Sequence, residues 1–292
     1  MDKKDFKDIY TNLTDGLYNY CLKCGVKSLV LGISGGIDST LTAVIAHSVA
    51  TRLNIELIGV SLPSHTNDST ENNAAIAVGT AFCNKFKVSD INDVYLKLLS
   101  QVNEIADVSE STKVANGNIK ARLRMITLYH IASLTGGIVL DTDNMTEHFC
   151  GFYTIHGDDG DIGVLRGLDK STIFEFADWM CRNQEMFTEE QRNAISMSQA
   201  LNPTDGNGVG CDLEQFGLPT YKEVDDVVNG INTENTGNVL TLHKKTWYKR
   251  LPRPLYIGVV DGELYDSLNN KIWFPINDNE YAELSRVNSL IL

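Results

Sequence analysis

Residues 34–39 read Ser-Gly-Gly-Ile-Asp-Ser, between an apolar run at 28–33 and an apolar pattern with helical spacing. Two adjacent glycines let the backbone approach a ligand closely. The first N–H groups of the following helix lack intrahelical partners and point towards an anion. Ser34, Ser39 and Thr40 add hydroxyl donors. The segment therefore predicts a polyphosphate-binding loop.

Asp38 does not suit a phosphate contact by itself, because both groups are negative. It suits Mg²⁺, which binds a carboxylate and substrate phosphates together. The loop lacks the Lys-Ser/Thr pair of a Walker A motif and the third glycine of a dinucleotide fingerprint. An ordinary helix cap after a core strand needs only one glycine and one serine, so it explains less of the hexapeptide.

A second polar group lies in 116–125, Asn-Gly-Asn-Ile-Lys-Ala-Arg-Leu-Arg-Met. Asn118, Arg122 and Met125 are spaced i, i+4 and i+7, which predicts a common helix face. An asparagine and an arginine on such a face either pair with carboxylates inside the protein or contact a ligand.

Apolar patterning supplies the elements that must position these groups. It predicts strands at 28–33, 56–62, 87–91 and 137–141, and helices at 5–24, 40–53, 70–86, 93–105, 119–133 and 171–182. This alternation predicts an α/β fold with a doubly wound parallel sheet and helices on both faces. Ligands of such sheets bind beyond the carboxyl ends of the strands, so the 34–39 loop and Thr142-Asp143 should face one crevice.

Glycine-rich residues 158–167 and 202–212 are expected to form loops, the second either a lid or disordered. Turn signals at Asp261-Gly262 and Asn269-Asn270 predict a β-hairpin in the tail. We therefore expect one domain over 1–255 and a C-terminal β extension over 256–292, packed on the core.

The net charge of −13 argues against general binding of nucleic acid or anionic membranes. The N-terminus shows no secretory signal, and no apolar run is long enough to span a membrane. We expect a cytoplasmic protein whose six cysteines, including the Cys21/Cys24 pair, are free thiols.

The Ser-Gly-Gly-x-Asp-Ser loop resembles the pyrophosphate loop of the N-type ATP pyrophosphatases, and further segments resemble the NAD synthetases among them. Residues 117–125 are similar to that family's Gly-Asn-x-x-Ala-Arg-x-Arg-Met signature, and 142–147 to its Gly-Thr-Asp-x-x-Glu segment. Residues 151–158 are similar to its Gly-Phe-x-Thr-x-x-Gly-Asp loop, 167–170 to its Leu-x-Lys block and 203–204 to its Pro-Thr. The blocks follow the family's order over about 30–255 and imply the fold of adenine nucleotide alpha hydrolases.

The resemblance implies an ATP-dependent amidation. The nicotinate carboxylate of deamido-NAD attacks the α-phosphate of ATP, and pyrophosphate leaves. Ammonia then attacks the acyl-adenylate, which gives NAD and AMP. Adenylation supplies the leaving group that a carboxylate lacks, and cations must hold the repelling anions together.

The resemblance also implies roles for individual residues. Asp38 and Glu147 would bind Mg²⁺, and Asp38, Asp158 and Lys170 would be catalytic, with Asp158 as the hypothetical proton acceptor for ammonium. The ATP contacts would be Gly32, Ile33, Ser34, Gly35, Gly36, Ile37, Asp38, Ser39, Thr142, Lys170 and Thr204. The deamido-NAD contacts would be Asn118, Arg122, Asp161, Tyr248 and Lys249.

Three positions depart from the family pattern. Ile155 stands where the family commonly has lysine, Tyr248-Lys249 replaces a His-Lys pair, and Asp141 precedes Thr142 in place of glycine. The loss of a lysine should weaken the grip on an anionic dinucleotide, and His156 or Lys249 could compensate. The changes concern deamido-NAD binding, not ATP binding.

Nothing in the chain supplies a glutamine amidotransferase module, so the expected nitrogen donor is free ammonia. The resemblance further implies a homodimer with the dinucleotide near the subunit interface. The alternatives are another pyrophosphate-loop ligase, such as a GMP-synthetase-like amidase or a tRNA thiolase, and a catalytically silent nucleotide-binding homologue. A thiolase would need paired cysteines beside the loop and a basic face, and neither is evident.

Overall fold

The computed structural model describes residues 5–109, 112–201, 212–251, 253, 256–257, 259 and 263–271. The strands are β1 (Ser28–Gly32), β2 (Glu56–Ser61), β3 (Lys85–Val88), β4 (Ile138–Asp141), β5 (Ile162–Gly163), β6 (Tyr256–Ile257) and β7 (Leu264–Tyr265). The helices are α1 (Phe6–Cys24), α2 (Ile37–Leu53), α3 (Ser69–Phe82), α4 (Asn92–Ala106), α5 (Lys113–Thr135), α6 (Met145–Cys150), α7 (Lys170–Arg182), α8 (Glu189–Gln199), α9 (Asp212–Phe216), α10 (Tyr221–Val228) and α11 (Val239–Lys245). A 3-10 turn follows at Trp247–Arg250.

The central sheet is parallel, in the order β3-β2-β1-β4-β5. Alternate residues of β1 pack on opposite faces of the sheet, because successive side chains of a strand point to opposite sides. Leu29 and Leu31 join the apolar cluster formed by α1, α2, α7 and α8. Val30 joins the second cluster, which contains Met125 and Leu128 of α5. The predicted doubly wound α/β fold is confirmed.

β1 and β4 are neighbours, and the strand order reverses between them. Chain segments that leave two such strands diverge to opposite faces of the sheet, which opens a crevice at their carboxyl ends. The loop after Gly32 and the loop after Asp141 border this crevice. The fold thus brings together two segments about 100 residues apart in the chain.

The boundaries of the third helix and the third strand differ from the predicted ones. α3 ends at Phe82, and Cys83 is already extended, with φ −92° and ψ 140°. The Asn84 side chain accepts the Leu57 N–H at 2.8 Å, and the Phe86 ring packs on Gly79, where a Cβ would lie 2.2 Å from it. β3 therefore begins at Lys85, earlier than predicted.

The region 158–167 is not loop throughout, because Ile162–Gly163 pairs with β4 as a two-residue edge strand. The predictions did not include α6 or α8–α11. The last three pack on α6 through a small apolar cluster that includes Cys150, Phe216 and Val239. This cluster fixes α6, and therefore Glu147, against the C-terminal part of the chain.

In the tail, β6 and β7 form an antiparallel pair, Tyr256 opposite Tyr265 and Ile257 opposite Leu264. The predicted packing of the extension on the core and the division at residue 255 stay predictions. Of the residues predicted as a loop at 202–212, only Asp212 is described; it begins α9. Within the described part of the chain, no helix has the length and apolarity needed to cross a bilayer.

Candidate active site

The crevice contains a cleft of about 440 Å³ at the carboxyl ends of β1, β2 and β4. Gly32, Ile33 and Ser34 line it from the first loop, and Thr142, Asp143 and Glu147 line it from the segment after β4. Asn118, Arg124, Thr154, Asp158 and Lys249 line other walls. Charged and hydrogen-bonding groups thus surround a space of the size of a small-molecule site.

The 34–39 loop has a geometry that glycine permits. Gly35 has φ +91°, and a Cβ there would lie 2.2 Å from the Glu71 carbonyl oxygen of α3. The second glycine, Gly36, is the N-cap of α2, and in the described part of the chain no side chain caps that terminus. The Ser34 hydroxyl lies 3.0 Å from that of Ser39 and accepts the Gly36 N–H at 3.2 Å. An uncapped helix start lined with hydroxyls suits an anion.

Lys170 joins two carboxylates inside the crevice. Its Nζ lies 2.6 Å from Oδ2 of Asp38 and 2.9 Å from Oε1 of Glu147. The lysine side chain is 3% exposed, and the two carboxylates are 17% and 21% exposed. The structure therefore brings together the three residues predicted for the metal and phosphate site.

Local sequence explains how the triad is held. Asp38 is in the first turn of α2, and Lys170 is the first residue of α7, whose N-cap is Asp169. Glu147 belongs to a capping box with Asn144 at the start of α6. The buried Asn144 side chain also donates to Oδ1 of Asp38 at 2.9 Å.

Burial dominates the electrostatics of Glu147. It raises the pKa of this carboxyl to about 7, with Lys170 acting against the rise and Asp38 adding to it. Burial alone would lower the pKa of Lys170, but the charges of Asp38 and Glu147 outweigh it and raise that pKa well above its ordinary value. The two carboxylates therefore favour the charged form of Lys170.

The donor set fits a divalent cation. Asp38 and Glu147 already direct one oxygen each at a single positive charge, and carboxylates are the protein ligands that Mg²⁺ prefers. Asp38 and Glu147 are the residues that would hold Mg²⁺, and Lys170 would then be free to contact phosphate.

A second acidic cluster consists of Asp141, Asp143 and Asp159, with one oxygen of each within 4.8 Å of the others. The Arg166 guanidinium lies 2.7, 4.0 and 3.7 Å from these three carboxylates, in that order. Arg166 supplies the positive charge that this cluster needs. Among the described residues, none gives the buried Oδ2 of Asp143 a hydrogen bond, and burial raises the pKa of the Asp143 carboxyl well above its ordinary value.

Of the three α5 residues predicted to share a face, two line the cleft and the third does not. Asn118 and Met125 line the cleft, and Asn118 accepts a hydrogen bond from Thr154 Oγ1 at 2.8 Å. Arg122 is exposed and donates to the Ile155 carbonyl at 3.2 and 3.3 Å. Arg124 points into the cleft and donates to the Leu62 carbonyl at 3.0 Å.

The segment 151–161 forms another wall of the cleft. Asp158 accepts the Thr154 N–H at 2.5 Å, and burial raises the pKa of Asp158 despite that bond. Lys249 donates to the carbonyls of Gly151, at 2.6 Å, and Tyr153. Burial lowers the pKa of Lys249, while nearby carboxylates, Asp158 foremost, act against that change.

The remaining residues predicted to contact ATP or deamido-NAD do not all line the cleft. Thr142 lines the cleft, and Tyr248 is 44% exposed. Asp161 is exposed and bonded to the Val139 N–H at 2.8 Å and to the Tyr129 hydroxyl at 3.2 Å. Thr204 lies outside the described residues, so its role stays a prediction.

Sequence reasoning assigned no role to Asn144 or Arg124, and it placed Asp143 at the crevice without giving it a role. The Asn-x-x-Glu spacing at 144–147 is a capping-box pattern and could have revealed Asn144. Arg124 lies in the same signature as Arg122, but only the tilt of α5 against the sheet decides which arginine enters the cleft. Asp143 is the aspartate of the segment 142–147 that resembles Gly-Thr-Asp-x-x-Glu, so the motif itself was a signal for it.

Comparisons with known proteins show which family this chain resembles. The family model described as NAD synthase matches residues 9–252. The NH(3)-dependent NAD(+) synthetase of Shewanella woodyi is 32% identical over 77% of this chain and 84% of its own length. That of Thermoplasma volcanium is 31% identical over 77% and 88%.

Solved structures show the same fold. The NMN synthetase of Francisella tularensis superposes with a TM-score of 0.74, at 25% identity, over 86% of this chain and 98% of its own. The NH3-dependent NAD synthetase of Campylobacter jejuni has a TM-score of 0.64, at 20% identity, over 87% and 100%.

Proposed function

Since this chain belongs to the NAD synthase family and is a ligase by that membership, we propose that it amidates deamido-NAD with ammonia and ATP. The products are NAD, AMP and pyrophosphate. The observation that carries the proposal is the convergence of Asp38, Glu147 and Lys170 beside the uncapped start of α2. Such a site cleaves a polyphosphate and has little purpose in passive binding.

The first step joins the nicotinate carboxylate to the α-phosphate. The 34–39 loop and the first turn of α2 bind the departing pyrophosphate through N–H groups and hydroxyls. Bound Mg²⁺ would neutralise phosphate charge and lower the repulsion towards the incoming carboxylate. Asp38 and Glu147 are the residues that would hold it, and Lys170 stabilises the charge that develops on the pyrophosphate.

The second step needs unprotonated ammonia, whereas ammonium predominates at neutral pH. Asp158 lines the cleft, and its raised pKa makes it a better proton acceptor than an ordinary carboxylate. Asp158 takes the proton from ammonium, ammonia attacks the acyl carbon, AMP leaves, and the amide nitrogen releases its second proton to water. Lys249 and Arg124 add positive charge to the wall that the acceptor nucleotide contacts.

A second candidate acceptor is nicotinate mononucleotide, from which amidation would produce NMN. Two observations favour it: the superposition on an NMN synthetase, and the apolar Ile155 in the slot of the family's lysine. Arg122 is already bound to the Ile155 carbonyl and does not line the cleft. A smaller acceptor with one phosphate needs fewer cations than a dinucleotide.

The test supplies the purified protein with ATP, Mg²⁺, ammonium and either deamido-NAD or nicotinate mononucleotide. AMP and the amidated product are quantified together, with a glutamine arm and an arm without acceptor. Equal amounts of AMP and NAD are expected with deamido-NAD and ammonium. AMP with the mononucleotide alone selects the second candidate. AMP only with xanthosine monophosphate, or no AMP with any acceptor, contradicts both.

We further propose that the protein is a homodimer joined through α4 and α5. Ile126 and Leu134 of α5 are 66% and 72% exposed, and Ile105 of α4 is 85% exposed. Exposed apolar side chains grouped on neighbouring helices are typical of an interface. Light scattering of the purified protein should give a dimer mass, and Ile126→Glu should give a monomer. A monomeric wild-type protein would contradict the proposal.

A further inference from the structure

Asp225 lies in α10, is 2% exposed and does not line the cleft among the residues described. Both oxygens of its carboxylate are occupied. Oδ1 accepts the Thr146 hydroxyl at 2.5 Å, and Oδ2 accepts the Ser171 N–H at 2.7 Å. The buried Asp225 carboxylate therefore has a specific hydrogen-bond donor for each of its two oxygens.

These partners are the sequence neighbours of the triad. Thr146 precedes Glu147 in the first turn of α6, and Ser171 follows Lys170 in the first turn of α7. The Lys170 N–H also donates to Thr146 Oγ1, at 3.0 Å. A hydrogen-bond chain therefore runs from the Lys170 backbone through Thr146 to Asp225.

Asp225 is not the N-cap of either helix, although its Oδ2 satisfies the Ser171 N–H, one of the first N–H groups of α7 that have no intrahelical acceptor. Asn144 and Glu147 cap α6, and the Asp169 side chain caps α7 through the Thr172 N–H at 2.9 Å. α10 also has a second link to α7, because Asn229 donates to Asp169 at 3.0 Å. What Asp225 adds is a bond between the starts of two helices.

We propose that Asp225 is a positioning residue that sets the separation of Glu147 from Lys170 and thereby the affinity for the metal–polyphosphate pair. The inference rests on the proposed function. The negative charge near two helix N-termini favours this arrangement. Burial raises the pKa of Asp225, so keeping the carboxylate there has a cost that its bonds offset. Mutation of residues that hold metal ligands in place commonly lowers metal affinity or activity by about 10- to 100-fold.

The test compares Asp225→Asn and Thr146→Val with the conservative Thr146→Ser. The matched control is Asp226→Asn, which changes the neighbouring aspartate of α10, whose carboxylate pairs with the exposed Lys222. The readouts are kcat and KM for ATP, the Mg²⁺ concentration giving half-maximal AMP release, and calorimetric binding of Mg²⁺ with a non-hydrolysable ATP analogue. The calorimetric readout does not require turnover.

We expect Asp225→Asn and Thr146→Val each to lower kcat/KM for ATP by about 10- to 100-fold and to weaken calorimetric binding. The double variant should be no more impaired than the more impaired of the two single variants, because both substitutions break the same hydrogen-bond chain. Thr146→Ser and Asp226→Asn should match the wild type.

Variants that only melt earlier, with unchanged Mg²⁺ dependence, binding and kcat, would overturn the inference and assign Asp225 to stability alone. Multiplying effects in the double variant would also overturn it. A wild-type protein that forms no AMP refutes the proposed function instead, and the calorimetric comparison of variants still decides on Asp225.

Discussion

Lys170 and Asp38 are 132 positions apart in the chain, and their charged atoms lie 2.6 Å from each other at the carboxyl end of the sheet. Lys170 is the shared counter-ion of Asp38 and Glu147, the two carboxylates that we propose to hold Mg²⁺. A metal ion that binds these carboxylates would exchange one cation for another. This exchange couples stability to ligand binding.

Replacement of Lys170 by Met should expose this coupling. Two carboxylates lose their shared counter-ion, which we expect to cost about 3–5 kcal/mol of stability. Added Mg²⁺ should raise the melting temperature of Lys170→Met more than that of the wild type. Thermal unfolding with and without Mg²⁺ measures both effects.

The control for Lys170→Met is Lys222→Met, which removes an exposed i,i+4 pair with Asp226. Its expected cost is below about 1 kcal/mol, since surface pairs contribute little. Equal costs for the two variants would contradict the role given to the buried triad.

Gly35→Ala should disrupt the phosphate loop. A Cβ at this position meets the Glu71 carbonyl, and φ is positive. We expect a loss of about 1–3 kcal/mol of stability together with loss of ATP binding. Unfolding in urea and ATP-analogue titration give the two values. Gly36→Ala, with φ −69° and its nearest Cβ contact at 3.4 Å, should be the milder variant; the reverse order would contradict the argument.

Asp158→Asn should separate the two chemical steps. Without the proton acceptor, ammonium-dependent amidation should fall by about 10²- to 10⁴-fold, the usual contribution of a general base. Adenylation of the acceptor should persist, which isotope exchange between pyrophosphate and ATP measures. Hydroxylamine, a weaker base that is mostly unprotonated at neutral pH, should restore acyl transfer. A variant that hydroxylamine does not help would show that Asp158 acts in another way.

His243 should contribute to acid unfolding. Burial, followed by the nearby Arg250, lowers the pKa of His243 from 6.5 to about 4. Between pH 6.5 and 4, His243 is protonated in the unfolded chain but stays neutral in the folded protein. The stabilisation is therefore complete above pH 6.5 and disappears as the pH falls towards 4.

We expect the wild type to lose on the order of 1–2 kcal/mol from this residue over that window, after allowance for partial solvent exposure. His243→Gln should show a shallower decline of unfolding free energy between pH 6.5 and 4, and the exposed His130→Gln should follow the wild type. Parallel curves for all three proteins would exclude His243 as the cause.

The sequence by itself determined the parallel α/β class, the strands β1, β2 and β4, the phosphate loop and the family, whereas β3 was displaced and β5 was missed. Apolar periodicity shows which face of an element is buried, and the Ser34–Ser39 hexapeptide is a local structure whose chemistry follows from neighbouring residues. α1 and its end at Gly25 were predicted for the same reason, since the cap is a property of a few adjacent positions.

Only the tertiary structure decided which polar groups meet. Asn144, Arg124 and Asp225 reach the site through contacts between distant elements, and no short-range pattern encodes such distances. Arg122 and Arg124 have nearly the same local context, yet packing of α5 on the sheet exposes one and turns the other into the cleft. The pKa of Glu147 likewise depends on burial by the assembled crevice, which exists only once the strands have paired.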